Sequence, residues 1–109
     1  LFIIFVVIIN KLMRVIAKKI LREFWEKKTD SEGQLKTWYK EASKAIWISP
    51  IDIKTEYPRA SILKRGRVVF NICGNKYRLV VQINYLRKWA FIRFIGTHRE
   101  YDKIDAEKI

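Results

Sequence analysis

The chain has 109 residues, with 23 Lys plus Arg against 11 Asp plus Glu for a formal net charge of +12, and half of its residues are apolar. That length suits one domain with one core, and the apolar share, which includes four tryptophans, excludes a disordered chain. The basic excess points to a polyanionic partner, and the single Cys73 excludes an internal disulfide and any multi-cysteine zinc site, as expected of a protein from a reducing cytoplasm.

The chain opens with "LFIIFVVIIN", which is too short for a bilayer span of about twenty apolar residues. It has no initiator methionine, no basic region before it and no small-residue cleavage site after it, so it does not make a complete signal peptide. Residues 1–12 are expected to be an apolar extension upstream of a native start at Met13, leaving residues 13–109 as a single domain without a membrane role. The other readings of the run are an added strand, a buried helix turn or the stump of a membrane anchor.

After Met13, Ile16, Ile20, Leu21, Phe24 and Trp25 recur at helical spacing, with lysines and Arg22 on the other faces, which predicts an amphipathic helix. "MRVI" could instead supply an edge strand. "TDSEGQ" interrupts the pattern, and Ser31 with Gln34 three residues later predicts a capping box. Leu35, Trp38, Tyr39, Ala42 and Ile46 form the stripe of a second helix. A short third helix is predicted at "SPIDIKTEYP", with Ser49 as cap, Pro50 at the first helical position, Asp52 favouring the N-terminal dipole and Pro58 closing it.

The second half changes period. "RVVFNI", "KYRLVVQINY" and "WAFIRFI" are β-branched and aromatic, separated by "CGN" and "LRK", short enough for antiparallel hairpins. In the middle strand Tyr77, Leu79, Val81, Ile83 and Tyr85 alternate with Arg78, Val80, Gln82 and Asn84, so one face is core and the other is polar. Helices first and then a meander predict an α+β fold, with N-terminal helices packed on one face of a small, mainly antiparallel β-sheet.

Several catalytic devices are absent. There is no Walker loop or dinucleotide glycine fingerprint, and one histidine with one cysteine builds no common zinc centre, so neither metal nor cofactor is expected. Cys73 paired with His98 lacks an orienting third group, and Ser61, His98 and Asp102 lack an elbow motif. What remains is a set of cationic and hydrogen-bonding residues on and beside the strands: Asn71, Asn75, Lys76, Arg78, Arg93, His98, Arg99 and Tyr101. Cleavage of RNA by its own 2′-hydroxyl needs a proton acceptor, a proton donor and fixed cations around the phosphorus, and these residue types can fill those tasks.

The strings "RVVFNICGNKYRLVVQINY" and "FIRFIGTHREYDKIDAE" closely resemble the HigB group of toxins, and the likeness runs from "MRVIAKKILREFWEK" through "LKTWYKEASKA" and "SPIDIK" to the end of the chain. The resemblance implies a RelE-like fold and the toxin half of a type II toxin–antitoxin pair. It further implies a metal-independent mRNA interferase that cuts messages on the translating ribosome and is silenced by a HigA-type antitoxin. Arg78, within "KYRLVV", matches a strand arginine that contacts the scissile phosphate in the RelE-like superfamily. His98, Arg99 and Tyr101 stand where that superfamily has a later basic pair and a tyrosine. Some relatives carry lysine or arginine in place of His98, so an acid–base role and an RNA-positioning role are both open. The implied catalytic set is Arg78, His98 and Tyr101, with Asn71, Asn75, Lys76, Arg93 and Arg99 on RNA phosphates or bases. Two readings from other classes stand beside this one: a gyrase-directed toxin of the ParE kind, and a non-catalytic RNA-binding module.

Overall fold

The computed structural model describes residues 12–109; residues 1–11, almost all of the expected extension, lie outside the described residues. Strand β1 (Arg14–Ile16) leads into helix α1 (Lys18–Lys27), a 3-10 turn (Thr29–Ser31), helix α2 (Glu32–Ser43) and helix α3 (Pro50–Glu56). Strands β2 (Ser61–Ile62), β3 (Arg67–Ile72), β4 (Tyr77–Asn84) and β5 (Trp89–Thr97) follow, then one turn of helix, α4 (His98–Tyr101). The five strands form one sheet in the order β1-β5-β4-β3-β2. All pairs are antiparallel except β1 with β5. This is the expected α+β architecture of RelE-like toxins.

The helices lie on one face. Leu21, Trp25, Leu35, Trp38, Ala42 and Ile53 are buried against Val68, Phe70, Ile72, Tyr77, Leu79, Val81, Ile83, Ala90 and Ile92 of the sheet. Phe70 sits in an aromatic nest, its ring centroid 5.0 Å from Tyr57, 5.3 Å from Trp38 and 6.4 Å from Trp47. Each such side chain removed from water contributes about 1.5–3 kcal/mol, so this face supplies most of the core.

Four local expectations need correction. Ile16 belongs to β1, where it pairs with Phe91, because Ala17 takes a left-handed backbone (φ 74°) that separates it from the helix. The capping box of Ser31 and Gln34 does not form: Ser31 has helical rather than extended backbone (φ −87°, ψ −13°). Its buried hydroxyl donates to the Lys28 carbonyl at 2.6 Å, and Gln34 Oε1 accepts the Cys73 N–H at 2.7 Å instead. Ile46 lies beyond the end of α2 and is 45% exposed, outside the buried stripe. The fourth correction concerns the polar sheet face, which is only partly open. Val69 and Val80 are buried there, with Ala106, beneath Leu63, Phe94, Tyr101, Ile104 and Ile109. The third helix forms as expected, and Asp52 accepts the Ile48 and Ser49 N–H groups at 2.8 and 3.3 Å.

The ladder between β4 and β5 slips by one residue between Val80 and Val81: Val80 pairs with Phe94 and Val81 with Ile92. Arg93 is therefore the extra residue of a β-bulge, which turns it toward solvent beside Phe94 on the outer face.

Candidate functional site

Register across three strands aligns Asn71, Arg78 and Gly96 on the outer face, because Arg78 pairs with Asn71 of β3 on one side and with Gly96 of β5 on the other. Gly96 is needed here: a Cβ would lie 2.6 Å from Phe94 Cζ and 3.1 Å from Glu100 Oε1. The half-buried Arg78 guanidinium donates to the carbonyl of Asn75 at 3.1 Å, a bond that holds the side chain over the β3–β4 turn. It has no carboxylate partner among the described residues.

Two residues past Gly96 the chain turns into α4. Thr97 caps that turn: its hydroxyl accepts the Glu100 N–H at 3.1 Å, and Glu100 Oε1 accepts the Thr97 N–H at 2.8 Å. These bonds hold the Glu100 carboxyl below the usual carboxylate range, with Lys28 and Lys103 adding to the effect. The cap projects the exposed His98 from the end of the sheet, and the His98 N–H is tied to the Lys76 carbonyl at 3.1 Å. Its Nδ1 lies 3.1 Å from Asp102 Oδ2, an arrangement that orients the ring and leaves Nε2 without a hydrogen-bond partner among the described residues.

Asp30 organises the near side of the same end. Its carboxylate accepts the Tyr77 hydroxyl at 2.7 Å and the Lys76 ammonium. The Lys76 bond, and after it that from Tyr77, lowers the Asp30 pKa; the Lys76 and Tyr77 pKa values are raised in turn, each chiefly by the bond to Asp30. Cys73 occupies the neighbouring turn with a left-handed backbone (φ 54°), and burial, together with the Asp30 charge, pushes its thiol pKa up, against nucleophilic use.

The sequence-predicted residues are therefore not equivalent. Asn71, Arg78 and His98 converge on one end of the sheet, and Asn75 sits in the turn above them. Lys76 is already engaged by Asp30. The Tyr101 ring is half-buried in the outer cluster with Phe94 and Ile104. Arg99 is exposed on α4, and Arg93 lies farther along β5, its guanidinium 5.1 Å from the Phe91 ring centroid. From Tyr57 to Arg99 the chain has ten Lys or Arg and no Asp or Glu, so β2, β3, β4 and β5 present no carboxylate on either face.

Comparison with known proteins gives the family of the chain. The family model described as HigB_toxin, the RelE-like toxic component of a toxin–antitoxin system, matches residues 31–104. The chain belongs to the HigB toxin family. The mRNA interferase HigB of Escherichia coli O6:H1 (strain CFT073) is 28% identical over 94 residues, 84% of this chain and 91% of that protein. The mRNA interferase toxin HigB of Escherichia coli K12 and the mRNA interferase HigB of Shigella flexneri are each 28% identical over 96 residues, 86% of this chain and 92% of theirs.

Within this HigB-family chain, sequence reasoning missed two contributors to the site. Asp30 meets Lys76 and Tyr77 across 46 and 47 positions, and no local pattern announces that meeting. Asp102, named in the sequence only within a Ser61, His98 and Asp102 set that lacks an elbow motif, contacts His98. Its spacing of four residues on one helical turn was the available signal.

Proposed function

We propose that this chain is the mRNA-cleaving toxin of a type II toxin–antitoxin pair, acting in the cytoplasm on messages held by the translating ribosome, without a metal ion, and silenced by a HigA-type antitoxin. The observation that carries the reading is the Asn71–Arg78–Gly96 row, which runs into His98 on a sheet without carboxylates. The names of the relatives, mRNA interferases, support the same substrate.

In this reading the message lies across the open end of the outer face. The 2′-oxygen attacks phosphorus as the bond to the 5′-oxygen breaks, leaving a 2′,3′-cyclic phosphate and a 5′-hydroxyl. Arg78 bears on the non-bridging oxygens, where negative charge grows in the transition state, and its lack of an internal carboxylate partner leaves its charge available. His98, held by Asp102, takes the 2′-proton through Nε2. Tyr101, its ring fixed in the outer cluster, is the second proton-transfer group, at the leaving oxygen. Asn71, Asn75, Arg93 and Arg99 bind phosphates or bases along the strand. Lys76, tied to Asp30, holds the β3–β4 turn in place and adds positive field.

The antitoxin half follows from charge as well as kinship. A +12 surface is readily masked by an acidic segment.

The test is cleavage by the purified chain of one defined message, naked and on stalled ribosomes. Cuts confined to the ribosome-bound message, with cyclic phosphate and 5′-hydroxyl ends, are expected. Ends bearing a 5′-phosphate would contradict the 2′-hydroxyl route. Growth arrest with intact messages and altered DNA supercoiling would favour the gyrase-directed reading.

A further inference from the structure

Arg93 apart, the open half of the outer sheet face has a composition that the cleavage site does not use. Strand alternation and the parallel pairing of β1 put Arg14, Trp89, Phe91 and Arg93 on this face, with Gln82 opposite Phe91 and Asn84 opposite Trp89. The helix-side face takes the intervening Val15, Ala90 and Ile92. Of the four tryptophans, Trp25, Trp38 and Trp47 are buried at 7%, 2% and 3% exposure, whereas Trp89 is 39% exposed. The Arg87 guanidinium lies 5.6 Å from the Trp89 ring centroid and that of Arg93 lies 5.1 Å from the Phe91 ring centroid. Arg14, Arg87 and Arg93 have no carboxylate partner among the described residues.

We infer that Trp89 and Phe91, with Arg14, Arg87 and Arg93, form a stacking platform for two bases of single-stranded RNA, separate from the cleavage site. Aromatic rings flanked by cations are what a single strand requires of a protein: each base offers a π face and each nucleotide a negative charge. Residues two apart on a strand are about 6.7 Å apart, room for two successive unstacked bases. The absence of Asp and Glu from Tyr57 to Arg99 removes the repulsion that would turn a polyanion away, and it argues against a basic protein partner here. Asn84 and Arg78 are six residues apart on β4, about 20 Å along the strand, so the platform holds nucleotides several positions from the scissile phosphate. The inference rests on the RNA-cleaving reading for the identity of the RNA as the substrate message.

The exposure of one tryptophan alone supplies the assay. Octaadenylate carrying 2′-O-methyl groups cannot attack its own backbone, so it reports binding without cleavage. Titrating it into the whole chain should quench the red-shifted part of the tryptophan emission and protect it from acrylamide. Trp89→Leu should abolish that response, and Trp89→Leu and Phe91→Leu should each weaken binding about tenfold by fluorescence anisotropy, with melting temperatures unchanged. Unquenched emission, or unchanged affinity in both variants, overturns the platform, and if those variants still cut messages in cells the nuclease reading survives without it. Stacking by a wild-type chain that never cuts supports the platform and sinks the nuclease reading. Variants that lose an acidic antitoxin but bind the oligonucleotide normally assign this face to the protein partner and overturn the inference.

Discussion

Gly96 lies directly across from Arg78 in the β4–β5 pair, and the Phe94 ring and the Glu100 carboxylate occupy the space a side chain at Gly96 would need. The Phe94 ring is itself packed in the outer cluster with Val80 and Tyr101, so it has little room to move. Gly96→Ala should cost about 1–3 kcal/mol through overpacking. Urea denaturation measures this, and adding Phe94→Leu should restore most of the loss. A neutral Gly96→Ala would mean the ring swings aside freely.

Asp30 should make stability depend on acid pH. Its carboxyl titrates low, first because Lys76 bonds to it and then because Tyr77 does. A depressed folded pKa gives stability that is present above the unfolded value near 3.9 and is lost as pH falls through the folded value. Asp30→Asn should lower the melting temperature at pH 7, and the difference should close as pH falls through the folded value, below about 3.9. Thermal melts from pH 2 to 8 check this; a gap of equal size at both ends would place the effect elsewhere.

The proton-transfer role proposed for His98 separates from a purely cationic one by substitution. His98→Gln and His98→Lys should both reduce single-turnover cleavage of ribosome-bound message by about 10²–10⁴ without lowering the melting temperature. Retained cutting by His98→Lys would assign the position to charge rather than to proton transfer. Asp102→Asn should show a smaller loss, since it acts by orienting the ring.

Val80 tests whether the C-terminal segment seals part of the outer face. It is fully buried, although the sequence places it among polar neighbours on β4. Val80→Ala should cost about 1–3 kcal/mol, comparable to Val81→Ala on the helix side. A change below about 0.5 kcal/mol, as for an exposed site, would mean that the segment does not pack there.

Strands β3, β4 and β5 were legible because each is β-branched and bounded by turn residues, whereas the two-residue β2 was too short to carry a pattern; the alternation of Tyr77, Leu79, Val81 and Ile83 with Arg78, Val80, Gln82 and Asn84 gave the correct faces. The helices were legible from the spacing of Leu21 with Trp25 and of Leu35 with Trp38 and Ala42. Features set by distant residues were not. Ser31 matches the local pattern of a cap, but its hydroxyl bonds back to Lys28, and Gln34 is drawn to the Cys73 backbone across 39 positions. The bulge at Arg93 depends on how β4 and β5 register, and the cover over Val69 and Val80 depends on where Ile104 and Ala106 return. At the site, Arg78 and His98 could be named from motif position, but their supports, Gly96, Asp30 and Asp102, appear only when strands and turns are assembled.

The most direct measurement is a map of mRNA 5′ ends in bacteria before and after induction of the wild-type chain, beside Arg78→Ala at equal protein level and equal melting temperature. New cuts within translated messages from the wild type, and none from Arg78→Ala, are predicted. Equal cutting by Arg78→Ala would remove the sheet arginine from the chemistry and contradict the site described above.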